Sequence, residues 1–230
     1  INDLTVRGAE TAPLVLGLPE AGERFIPAPE GGDVLVLAPH MDDPDSVAVA
    51  LRRFAGSGCS VRCLIVCSSH GGVTDHFALD HARKNGIELD RGAMPRYKCG
   101  IRQAEQIESL GLGAFVAGPP EFLTVEEDER GNLTASETNA IIIAEALSGY
   151  DPDIVIMPHG EDTNAAHVNV YRFFRRAAAH LAVRRGRPLL GLYNRDAKTL
   201  RITEHLAVPF DIEASEWKSG LLKAHRSQHE

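Results

Sequence analysis

Two short segments limit what this chain can fold into more than any other feature. Residues 33–38 (DVLVLA) and 153–157 (DIVIM) are almost unbroken apolar runs, the pattern of strands buried on both faces of a parallel sheet. Each run stops abruptly at a Pro-His pair, in PHMDDPD and in PHGEDTNAAH, and each is followed by helical spacing: Val47, Ala50, Leu51 and Phe54 after the first, residues 168–185 after the second. A strand buried on both faces needs helices on both sides, so the expected architecture is an α/β three-layer sandwich with a mostly parallel, Rossmann-like sheet. In such sheets ligands bind beyond the carboxyl ends of the strands, where both His/Asp loops fall.

The rest of the chain is read around these two units. Residues 61–67 (VRCLIVC) form the strand that completes a first βαβ unit after Gly56 and Gly58 stop the helix. Pro44 suits a helix start with Asp43 as its cap. Residues 68–98 show poor periodicity and read as a long, partly helical loop, a feature that is usually functional. Residues 101–110 read as a helix closed by Gly111, 114–117 as a short strand, 126–134 as an exposed acidic turn and 138–147 as a helix. A strand at 189–193, two weaker strand candidates in 200–210 and a helix over 212–225 complete the pattern. Residues 1–32, rich in Pro, Gly and Glu, read as an extended arm.

Composition excludes several classes. No stretch approaches the roughly 20 apolar residues of a membrane span, and the visible start lacks a secretory signal, so a soluble, cytoplasmic protein is expected. A formal charge of −8 argues against a nucleic-acid partner, and the basic residues in 172–187 read as a solvated helix face. Cys59, Cys63, Cys67 and Cys99 lack a zinc-ligand spacing. A strand would put Cys63 and Cys67 on one face, so they read as core thiols rather than a disulfide framework.

The chemistry lies in the two loops. Catalytic zinc takes about three protein ligands from His and carboxylate and keeps one position for water; His40, Asp43 and His167 supply that set, with one Zn2+ per chain. Asp42, beside them, can then accept a proton from the activated water. Taken singly, Asp43 also reads as a helix cap, His167 as a structural histidine and Asn164 as an N-cap, while His70, His76, His81 and His159 read as loop histidines. Arg102 reads either as a contact for substrate hydroxyls or phosphate, or as a salt-bridge partner of Glu105 on its own helix.

APHMDD after a buried strand resembles the APHPDDE signature of the LmbE-like (PIG-L) N-acetylglucosaminyl deacetylases, and DTNAAHVNVY falls where that family has its HPDH motif. IRQAEQIESLGL resembles the family's Arg-x-x-Glu helix, and WKSGLLKAHRSQ its closing Lys, His, Ser-Gln segment. The resemblance implies a single deacetylase domain over 33–230. It also implies His40, Asp43 and His167 as zinc ligands, Asp42 as general base, and hydrolysis of a linear amide C–N bond. The implied partner is a small N-acyl amino sugar or glycoconjugate, with Arg102, Asp162 and Asn164 as candidate substrate contacts. Met41 and Pro44 depart from the first motif, and Asp162 and Ala166 from the second. Asn164 stands where the family has a histidine that helps stabilise the oxyanion or protonate the leaving amine. That departure motivates an alternative, a metal-retaining but catalytically weak sugar-binding chain. A hydrolase of a non-sugar amide or ester is a third reading, and the oligomeric state, a homo-oligomer included, is left open.

Overall fold

A computed structural model describes residues 31–187, 189–194, 208 and 210–229. The arm expected over 1–32 lies almost wholly outside the described residues, and the weaker strand candidates of 200–210 fall on positions of which only 208 and 210 are described.

Five strands, β1 (Asp33–Ala38), β2 (Ser60–Ile65), β3 (Glu121–Phe122), β4 (Ile154–Pro158) and β5 (Leu190–Asn194), form one sheet in the order β3-β2-β1-β4-β5. Every neighbouring pair is parallel. The chain moves outward from β1 through β2 to β3, then crosses back to place β4 on the other side of β1. The order therefore reverses between β1 and β4, and an open parallel sheet leaves a crevice beyond its strand ends at such a point.

Burial follows from the alternation of side chains along the strands. Leu35, Leu37, Leu64, Val155 and Met157 face α5 (Glu137–Tyr150) and α6 (Ala165–Arg185), packing on Ile143, Leu147, Val170 and Phe174. Val34, Val36, Cys63, Ile65 and Ile156 face the opposite layer of α2 (Ala48–Gly56), α4 (Met94–Gly113) and α7 (Ile212–Leu222), against Leu51, Phe54, Leu110 and Leu221.

Several local expectations change. The helix after β1 is broken: α1 (Asp43–Ser46) is four residues long, and Val47 separates it from α2. Asp42, not Asp43, occupies the N-cap position, and its side chain makes no capping bond. The 68–98 region holds a 3-10 turn, His70–Gly72, and a helix, α3 (Asp75–Lys84), capped by Thr74, whose hydroxyl accepts the Phe77 N–H. The apolar face of α3 is small, Ala78 and Ala82, which is why periodicity missed it. α4 begins at Met94, well before residue 101. Residues 114–117 are not a strand: Ala114 takes a left-handed conformation that closes α4, Phe115 turns its ring onto Trp217, and the edge strand follows as β3.

None of the four cysteines forms a disulfide. Cys63 and Cys67 join opposite cores, because β2 ends at Ile65 and strict alternation ends with it. Burial pushes the Cys67 thiol up to about 12, and its Sγ donates to the Pro39 carbonyl at 2.7 Å. Within the basic run Arg185 is not solvated; its buried guanidinium pairs with Asp151.

Candidate metal centre

β1 delivers Pro39 and His40 to the crevice, and Met41, 1% exposed, drops into the core so that its neighbours His40 and Asp42 stay at the surface of the cleft. A tight turn follows, in which the Asp43 Oδ2 accepts the His40 backbone N–H at 2.7 Å. From the other side, β4 delivers residues 159–164, and His167 enters in the first turn of α6, capped by Asn164, whose Oδ1 accepts the Ala166 N–H at 2.9 Å.

These two segments bring His40, Asp43 and His167 together, with one ligand atom from each lying within 4.8 Å of the others. His40 Nδ1 and His167 Nε2 are 3.1 Å apart. The Asp43 carboxylate straddles them, Oδ2 at 3.4 Å from His40 and Oδ1 at 3.4 Å from His167. Two ligands of a tetrahedral ion at zinc–nitrogen distances stand roughly 3.3 Å apart, so the spacing and the donor types fit a zinc-sized ion. Two imidazoles with one carboxylate suit zinc better than the all-oxygen shells of magnesium or calcium.

The electrostatics match a site built to hold positive charge. Burial raises the Asp43 pKa, but hydrogen bonds and charge from His167 and His40 override it and hold this carboxyl well below the usual range. Burial disfavours the charged form of His167. The Asp43 carboxylate, and then Asp162, outweigh it and raise the imidazole pKa to about 9.

Asp42 diverges from its neighbour. Its carboxylate is 43% exposed and receives Arg102 Nη2 at 2.6 Å. Arg102 itself is buried in α4, and its Nη1 donates to the Ser69 carbonyl at 3.0 Å. Neither reading of Arg102 from the sequence anticipated this, since Glu105 bonds instead to the N–H and hydroxyl of Ser227. Gly72 lines the same wall: a Cβ there would stand 3.0 Å from Arg102 Nη1 and from Gln228 Oε1.

Asp162, a candidate substrate contact, has a fully buried side chain. Its Oδ2 meets His167 Nδ1 at 2.9 Å and its Oδ1 accepts the Asn164 N–H at 2.7 Å, so it fixes the His167 ring rather than facing the cleft. His159 is packed between Tyr171 and Tyr193 and accepts the Glu161 N–H, outside the three-residue cluster. The acidic turn of 126–134 also reaches this edge, where Glu127 binds the N–H and hydroxyl of Ser68. Poor periodicity gave no signal for that pairing.

By sequence, no family model matches the chain, and neither does any curated protein. Solved structures do match. The N,N'-diacetylchitobiose deacetylase of Pyrococcus horikoshii superposes with a TM-score of 0.62 at 18% identity, over 86% of this chain and 71% of that one. The chain has the fold of the LmbE-like deacetylases. A deacetylase of teicoplanin biosynthesis matches with a TM-score of 0.55 at 16% identity, covering 85% of this chain and 87% of its own. The A40926 pseudoaglycone deacetylase matches with 0.56 at 16% identity, over 87% and 83%. Among the described residues no helix is long and apolar enough to cross a membrane.

Proposed function

We propose that this chain is a zinc-dependent N-deacylase that releases a carboxylate, most simply acetate, from an amino sugar or sugar conjugate. The observation that carries the reading is the cluster of His40, Asp43 and His167 at the reversal of strand order, with Asp42 turned aside from it into the cleft. When bound, the ion supplies a Lewis acid that activates water and polarises the acyl carbonyl. Everything else is asked of the chain's own side chains.

His40, Asp43 and His167 hold the ion, and Asp162 fixes the tautomer and ring plane of His167 through Nδ1. Asp42 takes the proton of the attacking water, and the Arg102 guanidinium fixes the carboxylate's direction. Asn164 uses Oδ1 to cap α6, which leaves its amide N–H groups for the developing oxyanion. Asn cannot deliver a proton, so the amine leaves with the one Asp42 has collected. The N-terminus of the 21-residue α6 adds a positive dipole end beside that charge, whereas the four-residue α1 is too short to contribute much.

Elemental analysis of the purified protein, followed by an amine-release screen over N-acylated sugars, non-sugar amides and esters, tests the reading. About one zinc per chain with amine release from N-acetylglucosamine conjugates is expected. Protein that neither contains nor takes up a transition metal would sink the proposal. Turnover confined to non-sugar amides or esters would keep the metal chemistry and replace the substrate, and metal binding without turnover on any of them would favour a sugar-binding role.

A further inference from the structure

α1 carries the ligand Asp43 on only four residues, far too few to hold a helical shape unaided. What holds it comes from distant parts of the chain. Asp45, one residue beyond Pro44, is 0% exposed. Its Oδ2 is 2.7 Å from His225 Nε2 and accepts the Ser109 hydroxyl at 2.7 Å. Lys218 Nζ donates to the Ser46 carbonyl at 2.7 Å, tying the last residue of the same helix. So α1 presents one carboxylate to the cleft, Asp43, and a second inward, Asp45, gripped by the 218–228 segment and α4.

The same segment grips the neighbours of the proposed base. Ser227 binds Glu105 through both N–H and hydroxyl, at 2.8 and 2.6 Å, one turn along α4 from Arg102. Gln228 Nε2 donates to the Gly72 carbonyl at 3.1 Å, in the turn that follows Ser69. Three elements that share no local sequence, α1, α4 and the 70–72 turn, are therefore set relative to one another by one stretch of about ten residues.

From this we infer that residues 218–228 form a clamp that sets the position of the metal-binding aspartate, with His225 and Ser109 as positioning residues acting on Asp43 through Asp45. The inference rests on the metal-site reading proposed above. It follows from the cost of an unpartnered buried carboxylate: without His225, Asp45 must either stay buried with less compensation or swing toward water, and a four-residue helix cannot make that swing without carrying Asp43 along. Removing a group hydrogen-bonded directly to a metal ligand typically weakens metal binding about 10- to 100-fold, and His225, one residue further removed, should act by less than that.

The test is metal titration of the full chain with cobalt(II), reading both the dissociation constant and the visible absorption of the bound ion, which reports ligand geometry. His225→Ala is expected to weaken cobalt binding severalfold, up to about tenfold, and to change the spectrum. His225→Gln, whose amide N–H can replace Nε2, should recover most of both. Arg226→Ala breaks the exposed Arg226–Glu108 pair on the same segment and should change neither. Should His225→Ala fail to fold, Ser109→Ala, nearly the same size as the native residue, is expected to move affinity and spectrum in the same direction by a smaller amount. If the wild type binds cobalt while the variants bind it equally well with an unchanged spectrum, whatever their thermal stability, the clamp is overturned and the bonds are scaffold only. A wild type that takes up no cobalt overturns the metal-site reading first, and the clamp with it.

Discussion

The two loops that meet at the proposed metal site are built in opposite ways. The loop after β4 holds its polar side chains through bonds within itself, although Tyr171 and Tyr193 pack on His159: Asp162 orients His167, the Asn164 side chain caps α6, and His159 accepts the Glu161 N–H, all within residues 159–167. The loop after β1 depends on remote partners, Arg102 for Asp42 and both Ser109 and His225 for Asp45. A loop with local hydrogen bonds keeps more of its polar network if distant parts of the molecule loosen. A loop held from a distance turns its surroundings into part of the site.

The largest effect should come from removing the proposed ligand of the loop after β4. His167→Ala is expected to cut metal affinity by orders of magnitude, while His159→Ala leaves metal content almost unchanged, both read by elemental analysis after dialysis. Equal losses would mean that the wrong histidine has been assigned.

Acidity offers a second route. The His167 pKa lies near 9, above its ordinary 6.5, so the protonated ring stabilises the metal-free fold fully below about 6.5, and that contribution, on the order of 3 kcal/mol, is lost as pH rises through 9. Urea midpoints of the metal-free protein should fall across that window. Metal affinity should rise across it, because the ion replaces a proton. Calorimetry in buffers of different ionisation heat counts the protons released, and zero release at neutral pH would refute the assignment.

On the remotely held loop, Asp42→Asn should keep the zinc and lower turnover roughly a hundredfold, whereas Asp43→Asn should weaken metal binding and regain part of its activity with added zinc. Metal content measured beside turnover decides it; zinc lost from the first and kept by the second would reverse the roles. Asp162→Asn is expected to weaken metal binding about 10- to 100-fold without abolishing it, and unchanged affinity would show that the buried carboxylate does not orient the ring. Asn164→Ala should lower turnover through loss of the proposed oxyanion donor, and its effect on stability is the smallest of the set, about 1 kcal/mol for the lost cap, measured by denaturant unfolding.

The contrast between the loops also explains what could be read from the chain. His40 and Asp43 lie three apart in one loop and His167 opens the helix after the other strand, so periodicity and strand ends were enough to place them at one edge. The partner of Arg102 was out of reach, because short-range spacing offers Glu105 whereas the structure pairs it with Asp42, 60 positions away. His225 and Ser227 stood out only through the resemblance of their segment, Glu105 only through that of the Arg-x-x-Glu helix and as a partner offered to Arg102, and nothing local pointed to Asp45. The buried strands β1 and β4 announced themselves by unbroken apolar runs. Helix α3 did not, since its core-facing residues Ala78 and Ala82 are too small to make a stripe. Alternation places Cys67 on the Cys63 side, whereas the structure puts it in the opposite core because its strand ends two residues before it.

Position 72 illustrates what such crowding would ask of a sequence over generations. With a guanidinium nitrogen and an amide oxygen each 3.0 Å from where a methyl would sit, even alanine presses on the ends of Arg102 and Gln228. A drifting lineage can exchange many surface residues one at a time at little cost, but here the smallest step jostles the arginine that steers Asp42. Replacement becomes acceptable only if the wall around it has already shifted, so glycine at 72 should be among the last residues this cleft gives up.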